Sequence, residues 1–207
     1  LKFILIFFAF AKIILIKKTN FVTSSLKEEF DNLITYLIIG IILGGRLGYV
    51  FFYDLKFYFE NPLEILMVWK GGMSFHGALV GVISTTYYFA NSKERNLNTF
   101  FLLDIVAFVA PIGLFFGRIA NFINGELVGK VTNVSWAIIF PNIDYLPRHP
   151  SQIYEAFLEG LLLFIIMLSL ILKKDYKNGT CSCAFLILYG FFRIFCQIFR
   201  EPDIQTG

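Results

Sequence analysis

The chain has 207 residues, of which 57% are apolar and 16% charged, with a formal net charge of +3. A soluble domain carries about 25% charged and about 45–50% apolar residues, so the composition excludes an ordinary soluble globule and points to a membrane protein. The small charge and the lack of a basic stripe exclude nucleic-acid binding.

Six apolar segments follow in chain order, at 1–16, 33–53, 73–90, 99–123, 152–172 and 180–199. Each reaches or approaches the roughly 20 residues that a spanning helix needs. The apolar runs are continuous rather than alternating, so they predict helices and not barrel strands. The expected fold is all-α, a polytopic transmembrane helix bundle in one domain over residues 1–207. The first segment looks like a secretory leader, but Lys17 and Lys18 stand where a small-residue cleavage site would follow. It reads as the later part of a first spanning helix in a chain without its natural start. Lys17, Lys18, Lys27, Lys93, Arg95, Lys173, Lys174 and Lys177 fall in alternate loops, and Lys56, Lys70, Lys130, Arg148 and Arg200 in the others. The heavier basic set marks the cytoplasmic face. The loops after the second, fourth and sixth segments are then outside.

Glycines recur at four-residue spacing: Gly40, Gly44 and Gly48, Gly77 and Gly81, Gly113 and Gly117. Small residues at this spacing let helices approach closely in lipid. Cys181, Cys183 and Cys196 are odd in number and lack ligand spacing, so they read as small apolar fillers. No metal and no cofactor is expected.

An ionised side chain at membrane depth costs about 2.5 kcal/mol or more, and such residues face the protein interior or a wet cavity. They are Arg46, His76, Asp104, Arg118, Glu155, Glu159 and Arg193. The topology sets Arg46, His76, Arg118, Glu155 and Arg193 in the outer half of the bilayer. Asp104 lies near the cytoplasmic side and reads as structural. Three arginines at one depth predict an anion site, because guanidinium pairs bidentately with phosphate and stays charged when poorly hydrated. The plainer reading is that each arginine snorkels or pairs with a carboxylate. Arg118 and Asn121 share a helix face. Gly125 is expected to end that helix, with Asn124 and Glu126 at the mouth. His76 is either a general base or a neutral group that orders a loop. His149 lies in a rigid turn between Pro147 and Pro150, with Ser151 expected to cap the fifth segment. No nucleophile elbow, Walker motif or zinc motif is visible.

Several blocks together resemble one family. Gly44-Gly-Arg-Leu-Gly-Tyr-Val50, Gly71-Gly-Met-Ser-Phe-His-Gly77, Gly117-Arg-Ile-Ala-Asn-Phe-Ile-Asn-Gly-Glu126, Arg148-His-Pro-Ser-Gln-Ile-Tyr-Glu155 and Arg200-Glu-Pro-Asp203 look like prolipoprotein diacylglyceryl transferase, in that family's order. The resemblance implies a transferase of the bacterial inner membrane, with its active site toward the outer leaflet. It would move diacylglyceryl from phosphatidylglycerol to the lipobox cysteine of a preprolipoprotein signal peptide, forming a thioether and releasing glycerol phosphate. It implies catalytic roles for Arg118, His76, Arg193 and Glu126. It also implies phosphatidylglycerol contacts from Arg118, Asn121, Asn124, Gly129 and Arg46. There are departures. Gln197 stands where the family has an acid, Val128 replaces an aromatic, and the arm from Gly129 to Leu146 is short. The family has seven spans, so the chain reads as truncated at both ends. Two other readings stay open, a transporter for an anionic substrate and another phosphatidylglycerol-using membrane enzyme.

Overall fold

The computed structural model describes residues 24–92, 97–173 and 176–202, with side chains from Asp31 onward. The expected first span lies outside the described residues. Six helices carry the rest: α1 (Ser24–Phe52), α2 (Leu55–Glu60), α3 (Phe75–Ala90), α4 (Thr99–Asn124), α5 (Ser151–Ile171) and α6 (Thr180–Gln197). Short 3-10 turns at Pro62–Leu66 and Val68–Lys70 join α2 to α3. A two-residue ribbon, β1 (Ile138–Ile139) against β2 (Pro147–Arg148), pairs antiparallel in the α4–α5 connection.

Four helices are long and apolar enough to cross a membrane: Asp31–Phe52 within α1, α4, α5 and α6. The expected span at 73–90 forms α3, but α3 has 16 residues. At about 1.5 Å per residue it measures about 24 Å, short of a hydrocarbon core about 30 Å thick. The described residues therefore carry four candidate spans rather than five.

The residues cluster into two compact units, and the boundary at Leu103 and Asp104 falls inside α4. In the earlier unit, α1 packs on α3 through glycine. A Cβ on Gly48 would stand 2.7 Å from the Cα of Gly77, and one on Gly81 would meet the Gly40 carbonyl. Only hydrogen side chains permit this approach, as the spacing predicts. Tyr36 stacks on Tyr88 and meets the buried Phe89 edge-on, closing the far end of the contact. Gly81→Val is expected to force the two backbones apart and destabilise the unit by about 1–3 kcal/mol. A lowered melting temperature in detergent micelles checks this, and an unchanged one contradicts it. Gly113 and Gly117 behave otherwise. A Cβ on either would meet open space, so the expected close contact does not form around them.

In the later unit, Asp104 has the expected structural role. Its carboxylate accepts from Tyr176, from the Gly179 amide at 2.6 Å and from the Ser182 amide at 2.7 Å. Two of these are backbone donors at the start of α6, where helical N–H groups lack intrahelical partners. Leu163, Met167 and Cys181 pack the α5 and α6 interior.

Candidate active site

α5 is interrupted by a π-helical stretch, Ala156–Leu162. Such widened turns occur mostly within α-helices and often at functional positions. Glu155 and Glu159 flank and enter it, and neither side chain is exposed to solvent. Two carboxylates cannot be held inside a membrane helix without partners. Here the partners are three arginines.

Arg118, near the end of α4, spans both acids. Its Nη1 lies 3.0 Å from Glu155 Oε2, and its Nη2 lies 3.2 Å from Glu159 Oε2. Arg193 in α6 places Nη1 2.6 Å from Glu155 Oε1 and 3.6 Å from Glu159 Oε1. Arg200, just past α6, brings Nη1 to 3.4 Å from Glu155 Oε1. Gly160 makes the arrangement possible. A Cβ there would stand 2.6 Å from the Cβ of Phe115, one helical turn before Arg118, so its absence lets α4 press against the π stretch. Three guanidinium groups thus converge on two buried carboxylates. Glu155 is the hub of the cluster, in contact with all three arginines. Arg193 is its open edge, with 30% of its side chain exposed against 13% for Arg118 and 4% for Arg200.

The α4 terminus has the predicted form. α4 ends at Asn124, and Gly125 turns the chain with φ of 68°. The Glu126 amide donates to the Asn121 carbonyl at 2.8 Å, and the exposed Glu126 carboxylate accepts from the Asn124 amide at 3.4 Å. Buried Gln152 donates to the Glu126 carbonyl at 2.6 Å, which pins this turn to α5. Gly129 sits between two backbones. A Cβ there would stand 2.7 Å from His149 Cβ and 2.8 Å from the Phe199 carbonyl. Its geometry therefore serves the crossing of strands beside Arg200, with which it forms a bridge. Ser151 does not cap α5 as expected. Pro150 holds the cap position, and the Ser151 hydroxyl donates to the Leu127 carbonyl at 3.3 Å.

The short arm between Gly129 and Ser151 is tied down by Arg148. Its guanidinium donates to Asp144 Oδ2 at 2.6 Å, to the Gly129 carbonyl at 2.9 Å and to Glu201 at 3.2 Å. The hydrogen bond from Arg148 holds the Asp144 carboxyl below the usual carboxylate range, against a smaller opposing effect of burial. A depressed folded-state pKa stabilises at pH above the ordinary carboxylate value, and the contribution is lost as pH falls through the depressed one. The arm is therefore expected to stay protease-resistant through the ordinary carboxylate range and to loosen only at more acidic pH. Asp144→Asn should abolish that acid step in a pH series of limited proteolysis, and a persistent step would refute the assignment.

Two predicted residues belong to the earlier unit. Arg46 is 4% exposed, and its guanidinium donates to the carbonyls of Glu64 and Gly71 at 2.5 Å, Ile65 at 3.0 Å and Gly72 at 3.2 Å. It also lies 5.1 Å from the Tyr58 ring centroid. Four of its about five N–H donors are thus spent on the loop between α2 and α3. This geometry supports a loop clamp rather than the expected lipid contact. His76 is exposed in the first turn of α3, behind the Ser74 cap, and its ring meets Phe75 edge-on. It makes no hydrogen bond among the described residues.

Arg118 and Arg193 are thus brought together, and the turn carrying Asn121, Asn124 and Glu126 adjoins Arg118 in sequence. The residues that join the arginines, Glu155 and Glu159, had no assigned role in the sequence reading. The available signal was two acids four apart in an apolar run, which places them on one helix face.

Four helices long and apolar enough to cross a bilayer, with a buried arginine–glutamate cluster among them, define a helical membrane protein. Residues 3–207 match the family model described as prolipoprotein diacylglyceryl transferase, and the chain belongs to that family. It is 54% identical over 190 residues to a phosphatidylglycerol–prolipoprotein diacylglyceryl transferase of Rickettsia bellii (strain OSU 85-389), covering 91% of this chain and 72% of that protein. It is 55% identical over 183 residues to the enzyme of the same name from Rickettsia typhi (strain ATCC VR-144 / Wilmington), covering 87% and 70%.

Proposed function

We propose that this chain is the membrane transferase that moves diacylglyceryl from phosphatidylglycerol to the cysteine thiol of prolipoproteins. Family membership supports the reaction, and the convergence of Arg118 and Arg193 on the buried Glu155 and Glu159 is the observation that carries it to a site. Arg118 and Arg193 receive the lipid phosphate. The substrate thiolate attacks the glyceryl carbon that bears the phosphate ester. A C–S bond forms, the C–O bond breaks, and glycerol phosphate leaves with the electron pair. The guanidinium groups are already in place where that negative charge grows, so little reorganisation is needed. The thiol has an ordinary pKa of about 8.5 and must lose its proton. Exposed His76 and exposed Glu126 are the two candidate acceptors. Asn121 and Asn124 supply amides to the glycerol headgroup. Gly129 holds the backbone beside Arg200, and Arg46 holds the loop between α2 and α3.

The bilayer arrangement belongs to the same proposal. The four candidate spans cross the bacterial inner membrane. The cluster then opens to the outer leaflet, where phosphatidylglycerol and the signal peptide's lipobox meet.

The test incubates the purified protein with phosphatidylglycerol micelles and a lipobox peptide, then reads peptide mass. One diacylglyceryl adduct is expected, and none on a peptide whose cysteine is replaced by serine. Failure of the first overturns the function. His76→Gln and Glu126→Gln, each read as a pH–rate profile, decide the base. The variant that loses the acid limb, where the base would be protonated, identifies it.

A further inference from the structure

Arg118 meets the two buried acids in different ways. Its Nη2 donates a hydrogen bond to Glu159 Oε2 at 3.2 Å. Its Nη1 lies 3.0 Å from Glu155 Oε2, yet that oxygen accepts no hydrogen bond, so this contact is charge attraction without alignment. The hydrogen bonds of Glu155 go to its other oxygen, from Arg193 at 2.6 Å and Arg200 at 3.4 Å. Charge attraction has no preferred direction, whereas a hydrogen bond weakens steeply off line. The orientation of the Arg118 fork is therefore set by Glu159. Glu159 is itself held in place, because the next residue, Gly160, packs against the backbone of Phe115 in the turn of α4 before Arg118. Glu159 Oε1 accepts no hydrogen bond, with Arg193 Nη1 3.6 Å away. A buried carboxylate held by one hydrogen bond is poorly compensated for its lost hydration. Such a group adds little to stability, and what it supplies is direction for Arg118. The other N–H donors of Arg118 make no hydrogen bond among the described residues.

We infer that Glu159 is a positioning residue for the transfer reaction, aiming the Arg118 guanidinium through Nη2 and leaving its other donors for oxygens of the lipid phosphate. Negative charge on the departing phosphate grows only in the transition state, so a misaligned donor costs more there than in the bound lipid. Loss of aim then appears in kcat more than in KM. The role requires reach more than charge. Glutamine at this position keeps an oxygen at the same reach and loses the charge, while aspartate keeps the charge and draws the carboxylate back by one methylene. Arg118 serves here as the phosphate ligand of the proposed transferase, and the role of Glu159 rests on that reading.

The experiment measures initial rates of adduct formation on a lipobox peptide against phosphatidylglycerol. It uses Glu159→Asp and Glu159→Gln, each alone and combined with Arg118→Ala, with melting temperatures taken in micelles. Glu159→Asp is expected to lower kcat about 10²-fold, the scale of a misplacement of about 1 Å, with KM changing far less. Glu159→Gln is expected to lower kcat by less than about tenfold, since it keeps the acceptor for Nη2. In the Arg118→Ala background, Glu159→Asp should add no further loss, because both changes act on the same group. An aspartate variant with wild-type kcat overturns the inference. So does a glutamine variant as impaired as aspartate, which would make charge rather than reach the requirement. A further loss in the double variant overturns it too, and so does a melting temperature that falls in step with kcat. Wild-type protein that forms no adduct would instead refute the transferase reading, and full turnover in Arg118→Ala would refute the placing of the phosphate on Arg118.

Discussion

Arg118→Ala is expected to lower adduct formation on a lipobox peptide by about 10²–10³-fold, the scale seen when one preorganised donor to a developing anion is removed. Arg118 is the residue that reaches both buried acids, with Nη1 on Glu155 and Nη2 on Glu159. Its loss removes a charge from the site and also leaves Glu159 with one distant arginine at 3.6 Å. Arg118→Lys should not restore activity, because a point ammonium cannot span two carboxylates in a fixed fork. The measurement is kcat and KM for phosphatidylglycerol on protein whose melting temperature matches wild type. Normal turnover in the alanine variant would remove Arg118 from the mechanism.

Glu155→Ala has the second large effect, and it falls on stability. Glu155 is the common partner of all three arginines, at 3.0 Å from Arg118, 2.6 Å from Arg193 and 3.4 Å from Arg200. Truncation leaves three guanidinium groups around one remaining carboxylate in a buried setting. Breaking a buried ion pair by removing one partner costs about 3–5 kcal/mol. The variant is expected to melt far below wild type in micelles. Combining Glu155→Ala with Arg200→Leu should recover part of the loss, since the second change removes one of the three guanidinium groups that met Glu155. Additive losses in the double variant would show that Arg200 and Glu155 are not coupled. Glu155→Gln is the milder case. It keeps one oxygen acceptor for the arginines, so it should lose less stability than alanine, although it too removes the negative charge.

The residues that shaped these predictions differ in how readable they were. The runs at 99–123, 152–172 and 180–199 are nearly coincident with α4, α5 and α6, because lipid requires about 20 apolar residues with satisfied backbones. The end of α4 at Gly125 was equally readable, since a positive φ favours glycine. Arg118 and Arg193 stood out because an arginine in an apolar helix needs a reason. Other features were hidden. Hydropathy does not reveal the π stretch, because inserting one residue into a turn leaves composition unchanged. The glycine spacing in α4 suggested a contact that Gly113 and Gly117 do not make, while Gly160, outside any such repeat, makes one with Phe115. Arg46 looked like its companions until its donors were traced to four backbone carbonyls.

By itself, the sequence determined that this is a helical membrane protein of the diacylglyceryl transferase family with arginines at membrane depth. Those features follow from composition, run length and residue order, which are local or additive. The tertiary structure decided what each charge does. It joined Arg118 to Glu159, 41 residues away, and Arg193 to Glu155, 38 residues away. It also turned Arg46 into a loop clamp. A charge in low dielectric takes its role from whichever partner lies within about 4 Å, and helix rotation and close packing set that distance.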